Sequence, residues 1–286
     1  MTVVVPYDDS EQSRFALQLA TQWFPDEEIT LLHVLEPFAD HTEAGGSTGS
    51  RYSALKSEAD TLLEKAVENL DPGVNTRFEI RYGRPIHEII HFVEENETTH
   101  VVIGSHGRDG VRRLFLGSVA ETVVRRSPVP VTVVREDGDA GIETIEDVLV
   151  PFDASTESKT ALSYALNHFP EASVTALYVV YPPREVTGPV TQGTPSAIED
   201  WSRRIDSHTV EVLDLAEEIA TELDRSIQIE SMEGDPPHNI IDFAEDRGSD
   251  HIVMGSHGRD GLSRILLGSV AETVVRRAPT SVTVVR

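Results

Sequence analysis

The sequence predicts a doubly wound α/β protein made of two repeated domains. Short valine-rich segments alternate with longer amphipathic segments, a pattern typical of strands joined by helical crossovers. Such crossovers are right-handed and give a mainly parallel sheet with helices on both faces. The alternation occurs twice, because the second half of the chain repeats the first.

The duplication covers nearly the whole chain. Residues 100–135 match residues 251–286 at 27 of 36 positions, and residues 2–36 match residues 147–181 at 14 of 35. A short polar, turn-rich segment separates the copies. We therefore expect two domains, at residues 1–138 and 145–286.

The first half of each domain is predicted from its apolar periodicity. In the first copy, Val3–Val5 is an apolar strand and Ser10–Trp23 has the spacing of an amphipathic helix. Ile29–Leu35 is a second apolar strand, and Tyr52–Leu70 is a longer amphipathic helix. Segments rich in Gly, Ser, Thr and Pro precede this helix in both copies, and we predict surface loops there.

The second half of each domain continues the alternation. A strand at Thr76–Arg81 is followed by a helix at Pro85–Glu95, which has proline in its first turn as expected. Val101–Ile103 is a continuous apolar strand, as a sheet covered on both faces requires. Ser118–Arg126 begins with a capping-box pattern and ends with two arginines that suit a helix dipole. Val129–Val134 is the fifth strand.

The composition excludes several functional classes. With 24 basic and 49 acidic residues, the formal net charge is −25, which argues against a nucleic-acid duplex or an anionic membrane surface as partner. The chain has no cysteine, which excludes disulfides, thiolate nucleophiles and cysteine-based zinc sites. Of the 24 cations, 21 are arginine. An acidic, lysine-poor chain favours adaptation to concentrated salt, the alternative being an ordinary acidic cytosolic protein.

Location in the cytoplasm is expected. The chain opens directly as a strand, without the basic flank and apolar stretch of a signal peptide. No apolar run approaches the roughly 18 residues of a membrane-spanning helix.

The candidate ligand site lies beyond the carboxyl ends of the strands, where open α/β sheets bind ligands. Asp8 follows the first strand, and a loop of the form Gly-x2-Gly-x9-Gly-Ser follows the fourth. Glycines allow the backbone to approach a ligand closely, the following helix start favours a phosphate, and Arg108 supplies positive charge. The second copy repeats these features with Asp153 and Arg259.

Structural roles compete with this interpretation at several positions. The glycines could close a tight turn, and Ser118 and Ser269 could cap a helix. Asp8 and Asp153 could be ribose ligands, helix caps or both. His106 and His257 lie inside the glycine loops, where a loop hydrogen bond is favoured over catalysis because no paired nucleophile or orienting carboxylate is visible. His87 and His238 mark helix starts.

The repeated glycine motif, the aspartate after the first strand, the valine-rich last strand and the five-strand order resemble the universal stress protein family in its tandem form. The resemblance covers nearly the whole chain except the two long loops. It implies a sheet of order 3-2-1-4-5 and one ATP site in each domain, with Mg or Mn left open as an accompanying cation. The residues it implies, together with the prolines that end the first strands and the loop arginines, are Pro6, Asp8, Val34, Gly104, Gly107, Arg108, Gly117, Ser118 and Val119 in the first domain and Pro151, Asp153, Val179, Gly255, Gly258, Arg259, Gly268, Ser269 and Val270 in the second. Val34 and Val179 would act through their backbone groups, with their side chains in the core.

The resemblance also implies how the domains associate. The last strand pairs subunits in this family, so we expect the two domains to pair with each other inside one chain through these strands, with a homodimer of chains left open. An exposed apolar edge strand would otherwise need covering.

Three functions remain open from the sequence. The first is an ATP-binding stress-response module with a regulatory or protective role. The second is a slow ATPase; neither loop has the lysine that a P-loop enzyme brings to the phosphates, so fast hydrolysis is not expected and we do not predict an enzyme. The third is a nucleotide-free dimeric scaffold, against which both glycine motifs are intact.

Overall fold

The structure is a computed structural model. It describes residues 2–36, 48–68, 70–107, 116–135, 144–181, 195–258 and 267–286, with backbone alone at 48–52 and 195–206. The chain divides into two compact units, Met1–Ile142 and Glu143–Arg286.

The first unit alternates strands and helices as predicted. Each helix returns the chain to the start of the next strand, so the strands run parallel. The elements are β1 Thr2–Pro6, α1 Glu11–Trp23, β2 Glu28–Leu35, α2 Thr48–Val67, β3 Thr76–Tyr82, α3 Pro85–Glu95, β4 Thr98–Gly104, α4 Ser118–Arg126 and β5 Val131–Val134. The strand order within this unit is β3-β2-β1-β4-β5, with parallel pairing throughout.

The second unit repeats this topology. Its elements are β6 Asp147–Pro151, α5 Thr156–His168, β7 Ser173–Val180, α6 Pro195–Glu222, β8 Gln228–Glu233, α7 Pro236–Arg247, β9 His251–Gly255, α8 Ser269–Arg277 and β10 Ser281–Val285. The strand order is β8-β7-β6-β9-β10, again parallel. The predicted fold class and the order 3-2-1-4-5 are therefore confirmed in both units.

The strands are valine-rich because both of their faces are buried. Val3, Val4 and Val5 of β1 are completely inaccessible, so no polar face remains for solvent. Residues of α1 and α2, among them Leu17 and Leu63, pack on one face of the first sheet. Helices α3 and α4 contact each other, and right-handed crossovers place them on the other face.

The central strands bring two loops together. In the first unit β1 lies directly beside β4, with Val4 opposite Val101. Both strands end at the same edge of the sheet, so the loop that follows Pro6 lies next to the loop that follows Gly104. In the second unit β6 and β9 are neighbours in the same way.

Candidate functional site

The loop after β1 and the glycine loop after β4 are in contact. A Cβ atom placed on Gly107 would lie 2.5 Å from Oδ2 of Asp8, and one on Gly258 would lie 2.7 Å from Oδ2 of Asp153. The aspartate and the second glycine of the motif are thus adjacent in both units. Only a residue without a side chain leaves room for the carboxylate there.

Each aspartate also builds the turn into the next helix. Oδ1 of Asp8 accepts hydrogen bonds from the backbone N–H of Ser10, at 3.1 Å, and from its hydroxyl. Ser10 is the N-cap of α1 and accepts from the N–H of Ser13 at 3.2 Å. Asp153 and Ser155 repeat these contacts before α5. The aspartate is therefore not the cap itself but the residue that holds the cap in place.

The residue after each aspartate has a left-handed backbone, with φ 63° at Asp9 and 64° at Ala154. This conformation turns the chain sharply out of the strand and into the helix. At Asp9 the side chain is held by Arg14, 2.9 Å away, and by the hydroxyl of Tyr7.

The glycines of the motif serve different purposes. A Cβ on Gly104 would lie 2.6 Å from Cβ of Gln12, and one on Gly255 would lie 2.7 Å from Cβ of Glu157. The first glycine therefore allows the helix after the first strand to pack closely on β4 or β9. Close helix packing explains this glycine without a ligand, whereas the second glycine faces the aspartate.

The third glycine closes the loop and begins the helix. The N–H of Gly117 donates to the carbonyl of Ser105 at 2.7 Å, and Gly268 repeats this bond to Ser256 at 2.8 Å. Gly117 is the N-cap of α4, with no side-chain cap, so the predicted capping box at Ser118 is wrong. Gly268 caps α8 in the same way. The first amides of a helix have no intrahelical acceptor, which leaves those of α4 and α8 suited to an anion.

The loop histidines make the predicted loop hydrogen bonds. Nδ1 of His106 lies 2.9 Å from the hydroxyl of Ser105, and Nδ1 of His257 lies 3.1 Å from that of Ser256. Burial lowers the pKa of His257, and the charge of Arg286 lowers it further, while Glu157 acts in the opposite direction. His257 is therefore held toward its neutral form.

One arginine in each unit lies near the glycine loop and was not predicted from the sequence. Arg135 follows β5 and Arg286 follows β10, where the strands end beside the glycine loop. The N–H of Ser256 donates to the carbonyl of Val285 at 2.8 Å, which brings the end of β10 to the loop. Arg286 is half-buried, and burial lowers its pKa. The only sequence signal was the repeated Val-Val-Arg that ends both copies.

The remaining predicted positions that the structure describes lie around this edge. Pro6 and Pro151 end the first strands, and Val34 and Val179 lie one residue before the ends of β2 and β7 with half-buried side chains. The prediction that the side chains of Val34 and Val179 lie in the core is therefore wrong. Ser118 and Ser269 are exposed at the helix starts, beside Val119 and Val270. Arg108 and Arg259 lie outside the described residues.

Other candidate groups have structural partners. Arg125 pairs with Glu121 and Arg276 with Glu272, each one helical turn apart. His238 pairs with Asp242 in the same manner. A cavity of 330 Å³ lies between the loop after β1 and α2, and it contains none of the predicted site residues.

The described ranges hold neither a cluster of metal ligands nor a membrane-spanning helix. Within these ranges no three His, Asp or Glu side chains are placed to hold a metal ion. No helix there combines the length and apolarity that a membrane crossing requires.

Comparison with known proteins agrees with this architecture. The model of the Universal stress protein family matches residues 1–135 and again residues 144–286. A universal stress protein of Mycolicibacterium smegmatis is 27% identical over 99% of this chain and 96% of its own length. One of Methanocaldococcus jannaschii is 36% identical over 51% of this chain and 85% of its own length.

A solved structure has the same fold over the full chain. The universal stress protein from Archaeoglobus fulgidus superposes with a TM-score of 0.68 at 24% identity, covering 100% of this chain and 96% of that one. The two family matches fall on the two copies of the repeat. The chain therefore belongs to the universal stress protein family, as a tandem of two family domains.

Proposed function

We propose that each unit binds one adenine nucleotide, with ATP as the ligand, at the edge of the sheet where β1 meets β4 and β6 meets β9. The observation that carries this proposal is the contact of Asp8 with Gly107, repeated by Asp153 and Gly258. Two independent loops converge there on a polar, glycine-lined edge, where open α/β sheets hold ligands.

The phosphates would lie on the glycine loop and the following helix. Amides at the start of α4, those of Ser118 and Val119, donate toward an anion, and the helix dipole favours negative charge. Ser269 and Val270 would act equally in the second unit. Gly107 and Gly117 allow the ligand to approach the backbone.

The nucleoside would lie over the ends of β1 and β2. Oδ2 of Asp8 can accept hydrogen bonds from ribose hydroxyls while Oδ1 holds Ser10. Backbone groups near Val34 would contact adenine, as Val179 would in the second unit. A Mg or Mn ion, if it accompanies ATP, would be held mainly by the phosphates.

The protein would act by nucleotide occupancy rather than by turnover. No lysine occurs in either glycine loop, and the loop histidines are bonded to their neighbouring serines. We propose a regulatory or protective role in the stress response in the cytoplasm, with slow hydrolysis or a nucleotide-free scaffold as alternatives. The pairing of the two domains through their last strands and the homodimer remain predictions.

Release of bound nucleotide tests the proposal. The full chain is purified in high salt without added nucleotide and denatured, and the released nucleotide is identified by mass spectrometry and counted per chain. We expect about two ATP per chain. Gly107→Val and Gly258→Val each place a side chain against the aspartate, so each should reduce the count to about one.

The matched control is Gly73→Val, because the space around Gly73 is open. This variant should retain about two ATP, and thermal unfolding should establish that all variants are folded. If both loop variants still release about two ATP per chain, the site assignment is wrong. A nucleotide-free wild type that also binds no Mg-ATP in calorimetry would favour the scaffold.

A further inference from the structure

The two glycine loops are flanked by different charges. Both α1 and α5 have an acid in their first turn, but the two acids are not at equivalent positions. Glu11 is the first residue after the N-cap of α1, whereas Glu157 is the second residue after the N-cap of α5. Successive helical residues point about 100° apart. The two acids therefore face different surroundings although both suit the helix dipole.

The second position of each helix packs against the glycine loop. Gln12 in the first unit and Glu157 in the second occupy it, each packed against the first glycine of its motif. Glu11 is exposed, whereas Gln12 and Glu157 are half-buried. Burial and the charge of Arg286 lower the pKa of His257, and the negative charge of Glu157 opposes them in part.

The neighbouring charges do not remove this difference. Arg135 and Arg286 are equivalent in the two units. In the first unit Asp9 is paired with Arg14. The second unit has Ala154 and Lys159 at these positions, and Lys159 lies two residues after Glu157, about 200° around the helix axis. Glu157 is thus an added negative charge packed against the first glycine of the second loop.

We propose, on the basis of the proposed function, that the two sites select nucleotides by phosphate charge. Gln12 makes the first site the tighter one for a triphosphate. Glu157 repels the polyphosphate tail and makes the second site weaker for ATP and less discriminating between ATP and AMP. A single charge near the tail at a partly solvated site changes the dissociation constant by about three- to tenfold.

Exchange of the two side chains tests this. Calorimetry with Mg-ATP and with AMP is carried out on chains with one site blocked. With Gly258→Val, adding Gln12→Glu should weaken ATP binding at the first site by about three- to tenfold. With Gly107→Val, adding Glu157→Gln should strengthen ATP binding at the second site by a similar factor. Both effects should be smaller for AMP, which has fewer charges.

Glu11→Gln is the matched control, because it removes an exposed first-turn charge one position away from the residue packed on the loop. It should change the ATP dissociation constant less than twofold. If the blocked chains do not fold, Glu157→Gln in the otherwise intact chain should strengthen only the weaker of two binding phases.

The outcomes separate this inference from the proposed function. If both sites bind ATP but Gln12→Glu and Glu157→Gln leave the dissociation constants unchanged, the inference is overturned and the proposed function stands. The same holds if Glu11→Gln changes the dissociation constant as much as these substitutions do. Absence of ATP binding in the wild type and every variant overturns the proposed function and the inference with it.

Discussion

The two carboxylate oxygens of Asp8 face different neighbours. Oδ1 holds the backbone N–H and hydroxyl of Ser10 and thereby fixes the start of α1, while Oδ2 lies toward Gly107. Asp153 repeats both contacts. A structural role and a ligand role are therefore compatible in one residue, and a substitution that preserves the turn can separate them.

Asp8→Asn should separate the turn from the ligand contact. The amide oxygen of asparagine can still accept from Ser10, so we expect the free energy of unfolding to change by less than about 1 kcal/mol. Loss of the charged acceptor should weaken ATP binding at the first site by about tenfold or more, since hydrogen bonds to charged groups contribute about 1.5–3 kcal/mol. Calorimetry on a Gly258→Val background measures the first site alone.

Asp8→Ala provides the comparison, because it removes both oxygens and should lose stability as well as affinity. If Asp8→Asn binds ATP as tightly as the wild type, Asp8 serves the turn only.

At the residue scale the sequence could predict a candidate site but not the separate contacts that its residues make. Gly104 and Gly107 belong to one motif, yet Gly104 accommodates Gln12 and Gly107 accommodates Asp8. These contacts are made with residues of other elements, so the spacing of the glycines in the motif does not predict them. Arg286 was missed for the same reason, because only the pairing of β10 with β9 brings it to the loop.

Among the elements, the paired strands β9 and β10 contain a buried titratable group. Nε2 of His251 lies 2.8 Å from the hydroxyl of Thr283, and the His251 side chain is completely inaccessible. Burial lowers the pKa of His251 from 6.5 to about 3, partly offset by a hydrogen bond with the backbone of Ser281. The folded protein therefore holds this histidine neutral at pH values where the unfolded chain protonates it.

His251 should make the second unit sensitive to acid. Because its pKa is lower in the folded state than in the unfolded state, the unfolded chain binds more protons between pH 6.5 and about 3. Its contribution to stability is thus present above pH 6.5 and is lost as the pH falls, by up to about 1.4 kcal/mol per pH unit. Urea unfolding of wild type and His251→Gln between pH 7 and 5 measures it.

The variant keeps a polar side chain near Thr283 but cannot titrate. Since the carboxylates are common to both proteins, the difference in unfolding free energy isolates the histidine: the wild type should lose its advantage as the pH falls. Parallel pH curves for the two proteins would contradict the assignment.

The order of elements could be predicted because each strand and helix has a strong local pattern. The bounds of α4 were predicted correctly as well, but its cap was not. Ser118-Val-Ala-Glu121 has the pattern of a capping box, but the N–H of Gly117 is bonded to Ser105, and this loop closure makes Gly117 the N-cap. A contact across the loop thus overrides a local preference, as it does at Gly268 in the second unit.

At the scale of the whole molecule, duplication preserved the fold while the site surroundings diverged. Both units have the same strand order and the same aspartate-to-glycine contact. Gln12 and Glu157 differ at one equivalent position beside the loop. Under the proposed function, two sites of one architecture on one chain would respond to different nucleotide populations.

The net charge of −25 leads to a prediction for the full chain. Repulsion among like charges destabilises the compact state, and salt shortens the Debye length from about 10 Å at 0.1 M to about 3 Å at 1 M. We expect the urea midpoint of unfolding to rise steeply with KCl up to about 1 M and more slowly above it, since screening is then nearly complete. Sucrose is the uncharged control, because it strengthens burial without screening. A midpoint that is flat in KCl, or that rises equally in sucrose, would identify an ordinary acidic protein rather than one adapted to concentrated salt.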